Sequence, residues 1–159
     1  QVEVVKKRHL VRGQHDETEE ELVARVEVEF GLNAEQERAF RIVSQHAGTP
    51  GTDQLTMYIG GMGGTGKTRV LNALNAYFKE QGESRRLVVV APTGMAAALI
   101  NGSTYHFMFG INECHRDSIS KKALAEFKGR LQGVDYVFLD EVSMLSCVDL
   151  YKISARLAM

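Results

Sequence analysis

The stretch Gly60-Gly61-Met62-Gly63-Gly64-Thr65-Gly66-Lys67-Thr68 decides the fold of this chain. From Gly61 onward it has the spacing G-x-x-x-x-G-K-T, which is typical of a phosphate-binding loop between a strand and a helix. The glycines allow successive backbone N–H groups to point at phosphate oxygens, and the positive end of the following helix attracts the same anion. The spacing therefore predicts a nucleotide site formed by Gly61, Gly63, Gly64, Thr65, Gly66, Lys67 and Thr68.

The residues on both sides of this loop fit that interpretation. The apolar run 55–59 predicts the preceding strand, and residues 67–81 carry apolar side chains at helical spacing up to a glycine stop. We expect Lys67 to reach the β- and γ-phosphates and the Thr68 hydroxyl to bind Mg²⁺. The alternative, a glycine-rich turn in some other α/β protein, is disfavoured by the flanking pattern.

A second motif lies near the end of the chain. Residues 136–139 predict an apolar strand that delivers Asp140 and Glu141 to its carboxyl end, where ligands bind in open α/β sheets. We expect Asp140 to hold Mg²⁺, directly or through water. Glu141 is then placed to orient and deprotonate an attacking water, which indicates hydrolysis and not transfer to a second substrate.

Composition excludes several classes of protein. The 159 residues are 44% hydrophobic and 25% charged, an ordinary globular composition for one domain or part of one. No apolar run approaches the roughly 20 residues of a membrane span, and no signal peptide is recognisable. Two cysteines without CxxC spacing predict a reducing compartment, and free thiols are favoured over a metal site at Cys114, His115 and His106. The net charge of −1 argues against wholesale electrostatic binding to nucleic acid but allows a local groove.

The rest of the chain predicts alternating helices and strands. Residues 1–30 are highly charged and are interpreted as an extension or linker, with 22–30 undecided between strand and helix. Asn33 is a predicted N-cap with Gln36 in a capping box, although the Gln36 amide is also suited to an adenine edge. Further elements are predicted at 86–91 (buried parallel strand), 95–100, 118–132 and 146–157 (helices). Residues 103–110 have no clean period and suit either a packed loop or a surface for nucleic acid.

With these pieces placed, the chain resembles the PIF-type (petite integration frequency) DNA helicases of superfamily one, including the helicase domains of Helitron transposons. The matching blocks are residues 32–40, 60–68, 91–97 with 102–111, and 140–145. The resemblance implies an α/β P-loop NTPase fold at 31–159, a RecA-like parallel sheet flanked by helices. It is incomplete and represents the first motor domain only.

The resemblance also implies the activity and its partners. ATP and Mg²⁺ would drive translocation on single-stranded DNA in the five-prime to three-prime direction. Gln36 becomes an adenine contact, and Thr93, Gly94, Thr104, His106 and Phe109 become candidate DNA contacts. The family is associated with DNA repair, recombination and telomere maintenance.

The sequence departs from the family pattern in two respects. Phe107 stands where a small polar residue is expected. The Gly-Asp…Gln motif and the second RecA-like domain, needed for activity, would follow beyond Met159, which is expected to leave apolar sheet edges unpaired.

Two rival functions stay open on the sequence. One is another P-loop enzyme, such as a nucleotide kinase or an AAA-type ATPase, which would not need DNA for turnover. The other is a transposon-derived fragment that binds ATP at best. The intact phosphate loop and Asp140-Glu141 pair argue against decay within this stretch.

Overall fold

A computed structural model describes residues 17–111 and 121–159. The chain divides into two compact units, Gln1–Ser84 and Arg85–Met159. Cys114 and His115, considered above as metal ligands, lie outside the described residues. No helix in the described ranges is both long and apolar enough to cross a membrane.

The first unit begins with helix α1, Glu19–Phe30. Thr18 caps it in a reciprocal capping box with Glu21, and three glutamates in the first turn are favoured by the helix dipole. Leu22 and Val26, four residues apart, face inward and are buried. Residues 19–30 are therefore a packed helix and not the linker expected from their acidity.

Helices α2 (Ala34–Gly48) and α3 (Lys67–Glu80) complete the first unit. Both starts agree with the prediction, and α2 has the predicted Asn33–Gln36 capping box. The buried Glu27 carboxylate of α1 accepts two hydrogen bonds of 2.6 Å from Arg41 of α2. The core that joins the three helices consists of Val26, Phe40, Val43, Val70, Leu71, Leu74, Tyr77 and Phe78.

The strand predicted at residues 55–59 is absent. The described part of the first unit contains no strand at all, so this run has no neighbour with which to form a ladder. A strand needs a partner for its backbone N–H and C=O groups, and the run accordingly stays irregular and solvated. Its Tyr58 side chain is 78% exposed.

The second unit contains a three-stranded parallel sheet in the order β2–β1–β3. Strand β1 (Leu87–Ala91) is central, between β2 (Ser103–Thr104) and β3 (Tyr136–Leu139). Its apolar, β-branched sequence suits a buried parallel strand, as predicted. In register, Ala91 pairs with Thr104 and Val90 with Leu139, so all three strands end at the same edge.

Four helices accompany this sheet. They are α4 (Gly94–Leu99), α5 (Tyr105–Phe109), α6 (Lys121–Leu131) and α7 (Cys147–Leu157), with a short 3₁₀ turn at Val142–Met144. They confirm the predicted helices at 95–100 and 146–157, and α6 confirms the described part of the one at 118–132. The core comprises Val90, Tyr105, Phe109, Ile111, Phe127 and Ile153. The predicted α/β class with a parallel sheet flanked by helices is confirmed.

Candidate nucleotide and nucleic-acid sites

The phosphate loop depends on backbone conformations that favour glycine. Gly61, Gly64 and Gly66 have φ angles of +151°, +82° and +88°. Gly66 is also the N-cap of α3, and a Cβ atom there would collide with the Gln36 amide. A Cβ atom at Gly63 would meet no atom within 4 Å. The loop therefore has no room for a side chain at Gly66, where it packs against Gln36, but has free space beside Gly63.

Lys67 turns back over the loop that precedes it. Its Nζ atom donates to the carbonyl oxygens of Gly61, at 2.8 Å, and Met62, at 3.1 Å. These bonds place a positive charge beside the backbone that the motif assigns to phosphate. A bound phosphate would compete with the two carbonyl groups for the ammonium. Thr68 follows in the first turn of α3 with its side chain exposed.

Gln36 links the start of α2 to the phosphate loop. Its Oε1 accepts from the Asn33 N–H at 3.0 Å, and its Nε2 donates to the Thr65 carbonyl oxygen at 3.1 Å. The capping role is confirmed, and the bond to the loop was not predicted. An adenine contact would use the remaining N–H and lone pair of this amide, or replace the present bonds.

A pocket of about 310 Å³ lies beside the loop within the first unit. Its walls come from the first turns of α2, from residues 57–60, and from Thr65 and Lys67. Apolar side chains such as Ile42 and Met57 share the lining with polar groups of Asn33 and Gln36. This mixture suits a flat, partly polar ring held next to bound phosphates. This wall was not predicted, because residues 55–59 were expected to form a strand.

In the second unit, several of the predicted polar residues lie at or just after the ends of the strands. Thr93 follows β1, Thr104 ends β2, and Asp140 follows β3, so all three lie at the carboxyl edge of the parallel sheet. The Asp140 N–H donates to the Val90 carbonyl oxygen at 2.9 Å, which fixes this residue to the central strand. The Asp140 side chain is half-buried.

Glu141 adopts a left-handed backbone conformation with φ +49° and ψ +41°. For a residue with a Cβ atom this conformation is disfavoured by about 1–2 kcal/mol. Its carbonyl oxygen accepts from Met144 N–H at 2.9 Å, which closes the 3₁₀ turn. The backbone of Glu141 is thus fixed directly after the strand end, and its side chain is exposed.

Two of the predicted DNA contacts, Thr93 and Thr104, also shape the backbone at this edge. Thr93 Oγ1 accepts from Ala96 N–H at 3.2 Å, and Thr104 Oγ1 accepts from Phe107 N–H at 3.3 Å. Each threonine caps a helix and keeps its own O–H for another partner. Gly94 has no positive φ, and a Cβ atom there would meet nothing within 4 Å. His106 is partly exposed and stacks on Tyr105, with ring centroids 3.9 Å apart.

Phe109 does not fit its predicted role as a DNA contact. Its side chain is fully buried in the core of the second unit, with its ring 6.5 Å from that of Phe127. The one-turn spacing explains this, because positions 105 and 109 of α5 are four residues apart and share the inner face. Phe107, on the opposite face, is 60% exposed, and the Arg130 guanidinium lies 4.4 Å from its ring centroid. On the sequence, Phe107 is only a departure from the family pattern, and its contact with Arg130 was not predicted.

Comparison with known proteins places these sites in a family. The profile of the PIF1-like helicase family matches residues 31–156. Two Trypanosoma brucei brucei proteins, ATP-dependent DNA helicases PIF1 and PIF4, are 36% identical over 118 residues and 33% identical over 122 residues. These alignments cover 74% and 73% of this chain but 11% and 14% of the two proteins.

A third relative is ATP-dependent DNA helicase PIF3 of the same organism. It is 33% identical over 105 residues, which is 65% of this chain and 12% of that protein. The chain therefore spans about an eighth of the length of these curated relatives. No solved structure matches it significantly. Since the family profile covers the phosphate loop, the Asp140–Glu141 pair and the residues between them, this chain belongs to the PIF1-like helicase family.

Proposed function

We propose that this chain is the first part of the first motor domain of an ATP-dependent DNA helicase. ATP hydrolysis would drive translocation along single-stranded DNA in the five-prime to three-prime direction. The observation that carries this proposal is the glycine-shaped phosphate loop at the start of α3 in a member of this helicase family. The relatives that are named as DNA helicases support DNA as the partner.

The phosphate loop would bind the nucleotide through backbone and side chain together. Its open side at Gly63 and Gly64 leaves room for phosphate oxygens to approach the main chain. Lys67 would exchange its two carbonyl partners for β- and γ-phosphate oxygens. The adjoining pocket would receive the adenine ring, with the Gln36 amide at its edge.

Oxygen ligands suitable for Mg²⁺ are present in both motifs. The Thr68 hydroxyl is exposed in the first turn of α3, and the Asp140 carboxylate is accessible at the end of β3. Hard oxygen donors of these types fit Mg²⁺. When bound, the ion would neutralise charge on the phosphate oxygens. The assignment of both residues to one ion rests on the two motifs of the family.

Glu141 would act as the general base. Its side chain is exposed, and the residue lies just after the end of β3, at the edge of the sheet where ligands bind in open α/β folds. The carboxylate would accept a proton from the attacking water and orient its lone pair towards phosphorus. Hydrolysis, and not transfer to another acceptor, follows from that role.

DNA would contact the carboxyl edge of the sheet. The free O–H donors of Thr93 and Thr104 and the partly exposed ring of His106 offer contacts to a strand. Gly94 would let the DNA backbone approach closely, because nothing in its surroundings explains the lack of a side chain. A second RecA-like domain elsewhere in the helicase would supply the remaining groups of the ATP site.

The test is ATP hydrolysis by the natural full-length protein, measured with and without single-stranded DNA. We expect DNA to stimulate turnover, and Lys67→Ala to lower it by about 100-fold or more because the phosphate charge loses its partner. Turnover that is indifferent to DNA would favour another kind of P-loop ATPase or kinase. A folded protein that binds ATP but does not hydrolyse it would favour a non-catalytic fragment derived from a transposon.

A further inference from the structure

Phe107 presents an aromatic ring on the surface beside the proposed DNA contacts. It lies on α5, which starts directly after Thr104 at the carboxyl edge of the sheet. Its side chain is 60% exposed, whereas Tyr105 and Phe109 of the same short helix are buried. Core packing therefore explains its neighbours in α5 but not Phe107 itself.

Arg130 of α6 holds this ring from one side. Its guanidinium carbon lies 4.4 Å from the ring centroid, and its Nη1 donates to the Phe107 carbonyl oxygen. The Glu126 carboxylate, one turn earlier on α6, is exposed and lies 3.8 Å from Arg130 Nη2, so that ion pair is weak. A guanidinium has several N–H donors in a planar fork, and those not used here can bind a phosphate.

The positive charge of Arg130 favours an anionic partner. Lys128 is also exposed on α6, but it is two residues from Arg130 and therefore points to a different side of that helix. A ring backed by a cation offers a π-face for a base and positive charge for its phosphate. An aromatic–arginine pair of this kind suits a single nucleic-acid strand better than an apolar protein surface.

We propose that Phe107 and Arg130 form a stacking platform for one nucleobase of single-stranded DNA, with Arg130 also contacting a phosphate. The inference rests on the proposed helicase function and adds a base contact that the sequence pattern did not assign. Stacking is tolerant of base identity because every base has a π-face. A platform of this kind therefore suits a motor that must pass over any sequence.

Tryptophan fluorescence tests the stacking directly, because the chain contains no tryptophan. Phe107→Trp would introduce a single reporter at the platform, and a thymidine oligonucleotide should quench its emission by stacking. Tyr136→Trp is the matched control. Tyr136 is also an aromatic residue beside an arginine, with Arg86 5.9 Å from its ring, but it lies at the start of β3, at the opposite edge of the sheet. Its emission should not change.

Binding constants give the second readout. Phe107→Ala should weaken binding to the oligonucleotide roughly 5- to 150-fold, the range for loss of one stacked base. Phe107→Tyr, which keeps the ring, should restore binding. On an abasic strand the Phe107→Ala effect should vanish, which separates lost stacking from misfolding. Arg130→Gln should lower the slope of log affinity against log salt by about 0.7, because one phosphate contact is lost.

The outcomes distinguish failure of the stacking platform from failure of the proposed helicase function. If the unchanged protein binds the oligonucleotide, but Phe107→Ala binds equally well and Phe107→Trp emission does not respond, the platform is wrong and the helicase proposal stands. If the unchanged protein does not bind single-stranded DNA, the proposed function fails and the platform fails with it.

Discussion

The two units position their functional groups by different means. In the first unit, the groups lie on a loop whose shape comes from glycines at positive φ and from the hydrogen bonds of Lys67 and Gln36. In the second unit, they lie where paired strands end, so the register of β1 with its neighbours sets their places. Substitutions in the loop should therefore change nucleotide binding, whereas substitutions of Glu141, Thr93 or Thr104 at the sheet edge should change chemistry or DNA contact and leave nucleotide binding intact.

The largest expected effect is that of Glu141→Gln on hydrolysis. Removing the carboxylate that we propose as the general base should slow single-turnover ATP hydrolysis by a factor of about 10² to 10⁴, while ATP affinity stays unchanged. Glu29→Gln, at an exposed glutamate of α1, is the matched control and should hydrolyse ATP normally. If Glu141→Gln turned over ATP at the parental rate, Glu141 would not be the base.

Alanine substitutions at the two phenylalanines of α5 should change the free energy of unfolding by very different amounts. Phe109→Ala should lower the free energy of unfolding by about 3–5 kcal/mol, because a fully buried ring leaves a cavity. Phe107→Ala should change it by no more than about 0.5 kcal/mol, because that ring is mostly exposed. Urea unfolding measures both. The reverse ranking would mean that α5 presents the opposite face to the core.

Substitutions at two glycines of the phosphate loop should have different effects, one on stability and the other on ATP affinity. Gly66→Ala should destabilise the protein by about 1–2 kcal/mol through its left-handed backbone alone, and more through the collision with Gln36. Gly63→Ala meets no neighbouring atom and should leave stability within about 0.5 kcal/mol. It should nevertheless weaken ATP binding, because its methyl group points into space that the phosphates need. Thermal unfolding and ATP titration check the two expectations, and full ATP affinity in Gly63→Ala would place the phosphates elsewhere.

The smallest effect concerns the cap that joins α2 to the loop. Asn33 accepts hydrogen bonds from the N–H groups of Glu35 and Gln36, at 3.1 and 3.0 Å. Asn33→Ala should cost about 1 kcal/mol of stability, and Asn33→Ser, which keeps a capping oxygen, should cost much less. Chemical unfolding resolves this difference. Equal losses in both variants would show that the cap contributes little to α2.

Much of the fold could be predicted because local chemistry determines it. Asn33 and Gln36 carry the signature of a capping box, residues 67–80 follow a helical period, and β1 is a continuous β-branched run. In the two helices the decisive interactions lie within a few residues of one another. Strands β1 and β3 could be predicted from their apolar composition, although the ladder between them joins residues about 50 positions apart.

The failures involve partners that lie far away in sequence. The run 55–59 has the composition of a strand, but strand formation depends on a neighbour, and the described first unit supplies none. The acidic start of α1 looked like a linker, yet Val26 packs against other helices and Thr18 caps the first turn. In α5, only the packing against α6 shows that Phe109 is inside and Phe107 outside.

The candidate site residues show the same difference between local patterns, which could be predicted, and contacts between distant segments, which could not. The phosphate loop and Asp140–Glu141 were predicted from spacing, since their chemistry requires fixed residue types at fixed intervals. The bond from Gln36 to Thr65, the pocket beside it and the Phe107–Arg130 pair join segments that are far apart in the chain. No periodicity within a single segment could have revealed them.

The left-handed backbone at Glu141 carries a consequence for the engineering of this protein. Glycine adopts that conformation without steric penalty, so Glu141→Gly is a substitution that a screen for thermal robustness would reward. The same substitution would delete the carboxylate that we assign to the chemical step. Glycine at position 141 would therefore raise thermal stability and abolish hydrolysis. Selection for thermal stability alone would favour a variant that binds the nucleotide without hydrolysing it.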